Sequence, residues 1–235
     1  MNHMNHGEIR IPIFILSLLI NSLGIVLITR SMLGTSPISG IPYVLSLYLP
    51  FTYGQLTFVL NTLFVLGEVL LLGRHFLPVQ YLQIGVTFIF SVSIDFWMHI
   101  FAFLHQEPLW LSFLLLLAGC MILAFGICLE VAAQVLLVPG DSIVRVISMK
   151  GNWRMGSTKI IFDMTLCFIA AILSNLFGGL GTFTGLGLGT IISALLVGRF
   201  VNLYNYNLFF LEKIADLSLD RTEKRTPSPA TARMK

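Results

Sequence analysis

Long apolar runs, separated by short polar connectors, fill most of this chain. A membrane-crossing helix needs roughly 20 mostly apolar residues at about 1.5 Å of rise each, and six runs meet that length. The first covers about Ile11 to Thr29, the second Tyr53 to Leu72 and the third Val79 to Leu104. The fourth runs from Leu109 to about Leu137, the fifth from Thr158 to Phe177 and the sixth from Phe183 to Tyr204. The third and fourth are long enough to tilt. The pattern predicts an all-α integral membrane protein with six transmembrane helices.

Two connectors differ from simple loops. Leu33 to Pro50 follows the first span, and Val138 to Gly151 follows the fourth. Each opens with small, helix-starting residues and continues as a short apolar or amphipathic stretch. Pro37 behind Ser36 suits a first helical position after a cap, and Asp141 can cap the second stretch. A short helix is expected in each connector.

These connectors occupy matching places in an internal repeat. With an ungapped offset of 102 residues, Gly24 falls on Gly126, Pro37 on Pro139, Gly54 on Gly156 and Gly85 on Gly187. Shared Gly and Pro positions carry weight because those residues set backbone geometry. Residues 1–107 form the first three-helix repeat, 108–210 the second and 211–235 a tail. Three crossings per repeat turn the second copy upside down, an arrangement common in secondary transporters.

Composition agrees with the pattern. Of 235 residues, 56% are hydrophobic and 11% charged, with mean hydropathy +0.89, against about 25% charged in soluble proteins. The apolar run after Arg10 exceeds the roughly 7–15 residues of a signal peptide and lacks a small-residue cleavage site, so it reads as a retained helix. With the N-terminus in the cytoplasm, thirteen of the fourteen Lys and Arg residues fall on the inner half, leaving only Arg30 outside. That bias predicts both termini inside. The net charge of +3 sits mostly in the tail and argues against a nucleic-acid partner. The tail from about Leu217 is polar enough to be disordered. Cys120, Cys128 and Cys167 lie in apolar stretches without metal-ligand spacing and read as small hydrophobes.

Ionisable groups inside spans are costly and usually face a bundle interior or a wet cavity. Glu130 lies deep in the fourth span, with Gln134 one turn on. A carboxylate at such depth is expected to hold a proton or a cationic partner, and Arg199 in the last span is the candidate partner. Asn61 aligns with Asp163 under the offset, and matched polar positions suit a site at a repeat interface. Glu130, Gln134, Asn61, Asp163 and Arg199 are therefore the candidate substrate- or proton-binding residues. Asp163 also stands four residues after Lys159, the spacing of a local ion pair. Arg30 and Asp95 are expected to form an outer gate pair, with His99 one turn beyond Asp95. Glu68 is placed near the inner face. Gly181, Gly185, Gly189 and Ser193 recur every four residues, a stripe suited to close helix packing.

The segments Gly34-Thr35-Ser36-Pro37 and Pro139-Gly140-Asp141-Ser142, with Gly189-Thr190 leading to Gly198, resemble the YczE/YitT-like family of bacterial multi-pass membrane proteins, nearer the YczE branch. The resemblance covers roughly residues 10 to 205. It implies a bacterial inner-membrane location and a transport role, with no substrate and no functional residues to carry over. There is no Walker motif, zinc spacing or catalytic triad, so neither an enzyme nor a cofactor is expected. The partners expected are the lipid bilayer and a small molecule, with a homo-oligomer or a partner protein left open. The function expected is secondary transport of a small molecule. The alternatives are the membrane-embedded binding subunit of a multi-part importer and a non-transport accessory protein.

Overall fold

The computed structural model describes residues 6–104, 108–133, 135–179 and 185–207, and every regular element in them is helical. In chain order the helices are α1 (His6–Arg30), α2 (Gly40–Tyr48), α3 (Tyr53–Leu72), α4 (Leu82–Ile100), α5 (Leu109–Ala133), α6 (Pro139–Gly151), α7 (Met155–Gly178) and α8 (Leu188–Asn207). The tail beyond Asn207, Gln134 and Gly181 lie outside the described residues.

Local chemistry explains most boundaries. Thr52 accepts the Gln55 N–H while the Gln55 side chain accepts the Thr52 N–H, a capping box that starts α3. Pro139 opens α6, where its missing N–H costs nothing. Asn152, in the left-handed region at φ 51°, ends it. Three expectations need correction. α2 begins at Gly40 rather than Pro37, and the Ser39 side chain makes no cap bond. Asp141 is not the cap of α6, which begins two residues earlier behind Val138. The fourth span stops at Ala133, short of Leu137, because the chain extends into Pro139, and a residue before proline avoids the helical region.

Among the described residues five stretches are long and apolar enough to cross a membrane: Arg10–Arg30, Tyr53–His75, Pro78–Phe103, Leu109–Ala133 and Gly156–Gly178. The sixth run is shorter, with an apolar helical stretch of Leu188–Tyr204. It starts late because Gly185 takes a positive φ of 80° and the chain turns before α8. The surface is apolar, with Leu70, Leu109, Leu176 and Leu188 fully outside, whereas Asn21, Glu68, Gln83 and Glu130 are buried. In water so much exposed apolar surface would drive association. Against lipid it is the expected exterior, with polar groups turned inward.

The central packing is α1 against α5. A Cβ on Gly24 would lie 2.6 Å from the Leu123 backbone nitrogen, and one on Gly126 would strike Asn21. Under the offset of 102 residues, Gly24 corresponds to Gly126 and Asn21 to Leu123. The two contacts correspond to each other under that offset. Some further pairings correspond as well, although the α3–α4 packing has no counterpart of similar extent between α7 and α8. α2 packs on α7 and α6 on α3; α1 packs on α4 and α5 on α8. Ile38 meets its own counterpart at Gly140, whose Cβ would lie 3.2 Å from Ile38 Cδ1.

The glycine run does not serve as a plain helix-packing stripe. Gly189 donates its N–H to the Leu33 carbonyl at 2.9 Å. Thr35 N–H donates to Thr190 Oγ1 at 3.2 Å, and Ser193 Oγ to the Thr35 carbonyl at 3.3 Å. Cβ atoms on Gly187 or Gly189 would strike the Leu33 carbonyl, and one on Gly34 would strike Thr190. The connector after α1 and the start of α8 therefore meet backbone to backbone.

Candidate functional site

The densest buried polar chemistry surrounds the start of α6. Glu130, one turn before the end of α5, is 4% exposed. Its Oε2 accepts from Asn21 Nδ2 at 2.8 Å, and its Oε1 accepts the Val138 N–H at 3.0 Å. The side chain thus ties α1 to the entry of α6, across the break after Ala133. It lies close enough to Asp141 and Lys159 to feel both charges. Asn21 Oδ1 stays buried without a hydrogen-bond partner.

Lys159, on the first turns of α7, reaches across to α6. Its Nζ lies 2.7 Å from Asp141 Oδ1 and 3.4 Å from Asp163 Oδ1. The second contact is the i, i+4 pair expected from the sequence. The first joins residues 18 apart and has no local signal. These side chains remain partly open, at 32% exposure for Lys159, 35% for Asp141 and 21% for Asp163. Acidic side chains in the first turn of a helix also meet the positive end of its dipole, which Asp141 does in α6.

The offset sharpens the meaning of this trio. Asp141, Lys159 and Asp163 correspond to Ser39, Thr57 and Asn61, all buried and uncharged. The same framework positions are filled by neutral groups in one half and by an ionised trio in the other.

The remaining candidates separate. Arg199 lies on an exposed position of α8, so the expected Glu130–Arg199 pair is absent among the described residues. The arginine sits in the expected stretch of helix, on an exposed position. Asn61 is 3% exposed on α3 and is not among the hydrogen-bond partners of Glu130. Arg30 and Asp95 do not pair either. Asp95 accepts from Thr52 Oγ1 at 2.6 Å and from the Gly54 N–H at 2.7 Å, bracing the start of α3. Arg30 donates from Nη2 to the Met98 carbonyl at 2.6 Å. His99 is exposed.

A second polar group lies around the start of α2. Thr29 and Thr35 share a hydroxyl bond of 3.1 Å, and Ser36 donates to Ser39 at 2.9 Å. The buried Tyr53 hydroxyl lies beside Ser39, Thr35 and Thr29 without reaching hydrogen-bond geometry. Tyr43 stacks edge-on against Tyr53 with ring centres 5.4 Å apart. Burial pushes the Tyr43 hydroxyl above its usual range, against the opposing pull of Arg30. Among the described residues no group of three or more His, Cys, Asp or Glu side chains is placed to hold a metal ion.

A family model matches residues 9–206, nearly the whole helical bundle. The chain belongs to the family of unknown function DUF6198. No curated protein and no solved structure matches it. Within the DUF6198 region, Gly34-Thr35 and Gly189-Thr190, two segments singled out in the sequence, touch each other directly.

Sequence reasoning missed three participants: Asn21, the Val138 N–H and the Asp141–Lys159 link. Asn21 had a readable signal, a lone amide in the middle of an apolar span. The other two depend on how α5, α6 and α7 are placed in space.

Proposed function

We propose that this DUF6198 protein is a secondary transporter of a small polar molecule in a bacterial inner membrane. In this reading six helices cross as two inverted three-helix repeats, with both termini cytoplasmic and the start of α6 on the inner side. Kinship with the YczE-like branch belongs to the same proposal. The observation that carries it is the ionised Asp141–Lys159–Asp163 trio beside buried Glu130, at positions whose counterparts in the other half are neutral. Two carboxylates on one ammonium, with the Glu130 carboxyl behind them, favour a solute with a positively charged group. Such a solute would displace Lys159 from one aspartate and take its place. Half-open exposure of the trio provides the approach, and Glu130 lies behind it.

The test is uptake into liposomes containing the purified protein, with a panel of cationic, zwitterionic, anionic and neutral solutes. The reading expects one cationic or zwitterionic class to be taken up, and Lys159→Gln and Glu130→Gln to abolish that uptake while still folding. Uptake of none of the panel, or unchanged uptake in both variants, would overturn it.

One observation favours a second reading, that of a non-transport accessory protein. Glu130 and Asn61 are closely packed, at 4% and 3% exposed, and a groove of about 410 Å³ between Ile20, Leu23, Met121, Ile122, Phe125 and Tyr204 is apolar. Cysteine labelling decides between them. A Cys at Ser142 that becomes reactive to a membrane-impermeant reagent during turnover supports transport. One that stays protected under every solute tested supports the accessory role.

A further inference from the structure

A second buried carboxyl group lies on the far side of α6. Glu68, on α3, is 0% exposed and Gln83, on α4, is 2% exposed. Gln83 Nε2 donates to Glu68 Oε2 at 3.4 Å and to Ser142 Oγ at 3.3 Å, so the three residues join α3, α4 and α6. Both bonds are long. Glu68 Oε1 and Gln83 Oε1 are buried and have no hydrogen-bond partner. The Ser142 hydroxyl lies beside Glu68, but it does not reach hydrogen-bond geometry with either of these two oxygens. Each buried unsatisfied polar group costs about 1–3 kcal/mol, and more when charged.

The facing groups are all neutral. Gln83 comes from α4 and Ser142 from α6, and α2, which also packs on α3, has no charged residue. The charged residues on these elements are engaged or outside. Asp141 is held by Lys159, Asp95 by Thr52 and Gly54, and Arg74, His75, His99, Arg145 and Lys150 are exposed. Among the described residues no cation forms an ion pair with Glu68.

The aligned positions in the other half of the chain are apolar. Under the offset of 102 residues, Glu68, Gln83 and Ser142 correspond to Ala170, Gly185 and Gly40. α2 packs on α7 as α6 packs on α3, although α7 and α8 do not pack together as α3 and α4 do. A Cβ on Gly40 would lie 3.4 Å from both Ala170 Cβ and Leu186 Cδ2, so apolar groups close this junction. The Glu68 junction instead holds a carboxyl, an amide and a hydroxyl.

We infer that Glu68, Gln83 and Ser142 form a proton-binding site, in which Glu68 holds a proton on Oε1. That proton supplies the missing donor, with Gln83 Oε1 as the available acceptor, and removes the uncompensated charge. A proton needs no cavity, which suits oxygens packed this closely. When α3, α4 and α6 part, the proton passes from the Glu68 carboxyl to water, leaving a carboxylate and hydronium; repacking takes one back. This site stands apart from Glu130 and does not depend on which solute, if any, is moved.

Infrared spectroscopy of the purified protein tests it by reading the carbonyl stretch of protonated carboxyl groups at neutral pH. A component of that band is expected in the native protein, lost in Glu68→Gln and kept in Glu130→Gln. Ser142→Ala and Gln83→Leu should shift its frequency, and they provide the readout should Glu68→Gln fail to fold. Native and Glu68→Gln spectra that superpose in this region would overturn the site. So would a component insensitive to both Ser142→Ala and Gln83→Leu. Replacing choline chloride with sodium chloride is the remaining arm. A component abolished by sodium would assign these oxygens to a metal cation instead of a proton.

Discussion

The Glu130 carboxylate accepts the Val138 backbone N–H at 3.0 Å, across the break between α5 and α6. A side chain thus satisfies a backbone donor that no helix can satisfy, at the point where the fourth span ends. Removing it by Glu130→Ala leaves the Val138 N–H and Asn21 Nδ2 buried without their acceptor. The expected loss is about 1–3 kcal/mol per orphaned group. Glu130→Gln keeps one acceptor and should cost less. Thermal unfolding in detergent checks the order, and equal midpoints for the two variants would contradict the bracing role.

The α1–α5 contact makes a sharper steric prediction. Gly24→Ala and Gly126→Ala both drive a methyl group into the opposite helix, and overpacking of this kind costs about 1–3 kcal/mol. Gly85→Ala is the control, because nothing lies within 4 Å of a Cβ there. Alanine is favoured over glycine inside a helix by about 1 kcal/mol, so that variant should unfold no lower than the native protein.

Lys159 should couple unequally to its two aspartates. A double-mutant cycle of Lys159→Ala with Asp141→Asn is expected to give about 0.5–1 kcal/mol, within the range for partly exposed pairs. The cycle with Asp163→Asn should give less, since that contact is 3.4 Å against 2.7 Å. Reversed magnitudes would contradict the geometry.

Arg30 and Asp95 should not couple. Asp95→Asn removes the charged acceptor at the start of α3 and is expected to cost about 1 kcal/mol. Arg30→Gln should add to that loss independently. A coupling above about 0.5 kcal/mol in the cycle would show that the two side chains meet.

These contrasts explain what the sequence made legible. The second span is readable end to end, because Thr52 and Gln55 announce its start three residues apart and α3 runs from Tyr53 to Leu72. The Lys159–Asp163 pair is readable because helical spacing alone brings the two together. Direction around a helix is less accessible when the helix is apolar on all sides. Counting residues from the span ends gave Arg199 a depth, but not the side of α8 it occupies. Glu68 is fully buried among its neighbouring helices, which a residue count along the span does not reveal. Its counterpart Ala170 held the better clue: a carboxyl standing where the repeat otherwise has a methyl group is an addition to the frame.

The bond from Gly189 to the Leu33 carbonyl has a mechanical consequence. Glycine leaves nothing between the two backbones to bend or rotate, so the junction acts as a rivet. Any rearrangement that separates the connector after α1 from the start of α8 has to break this bond first.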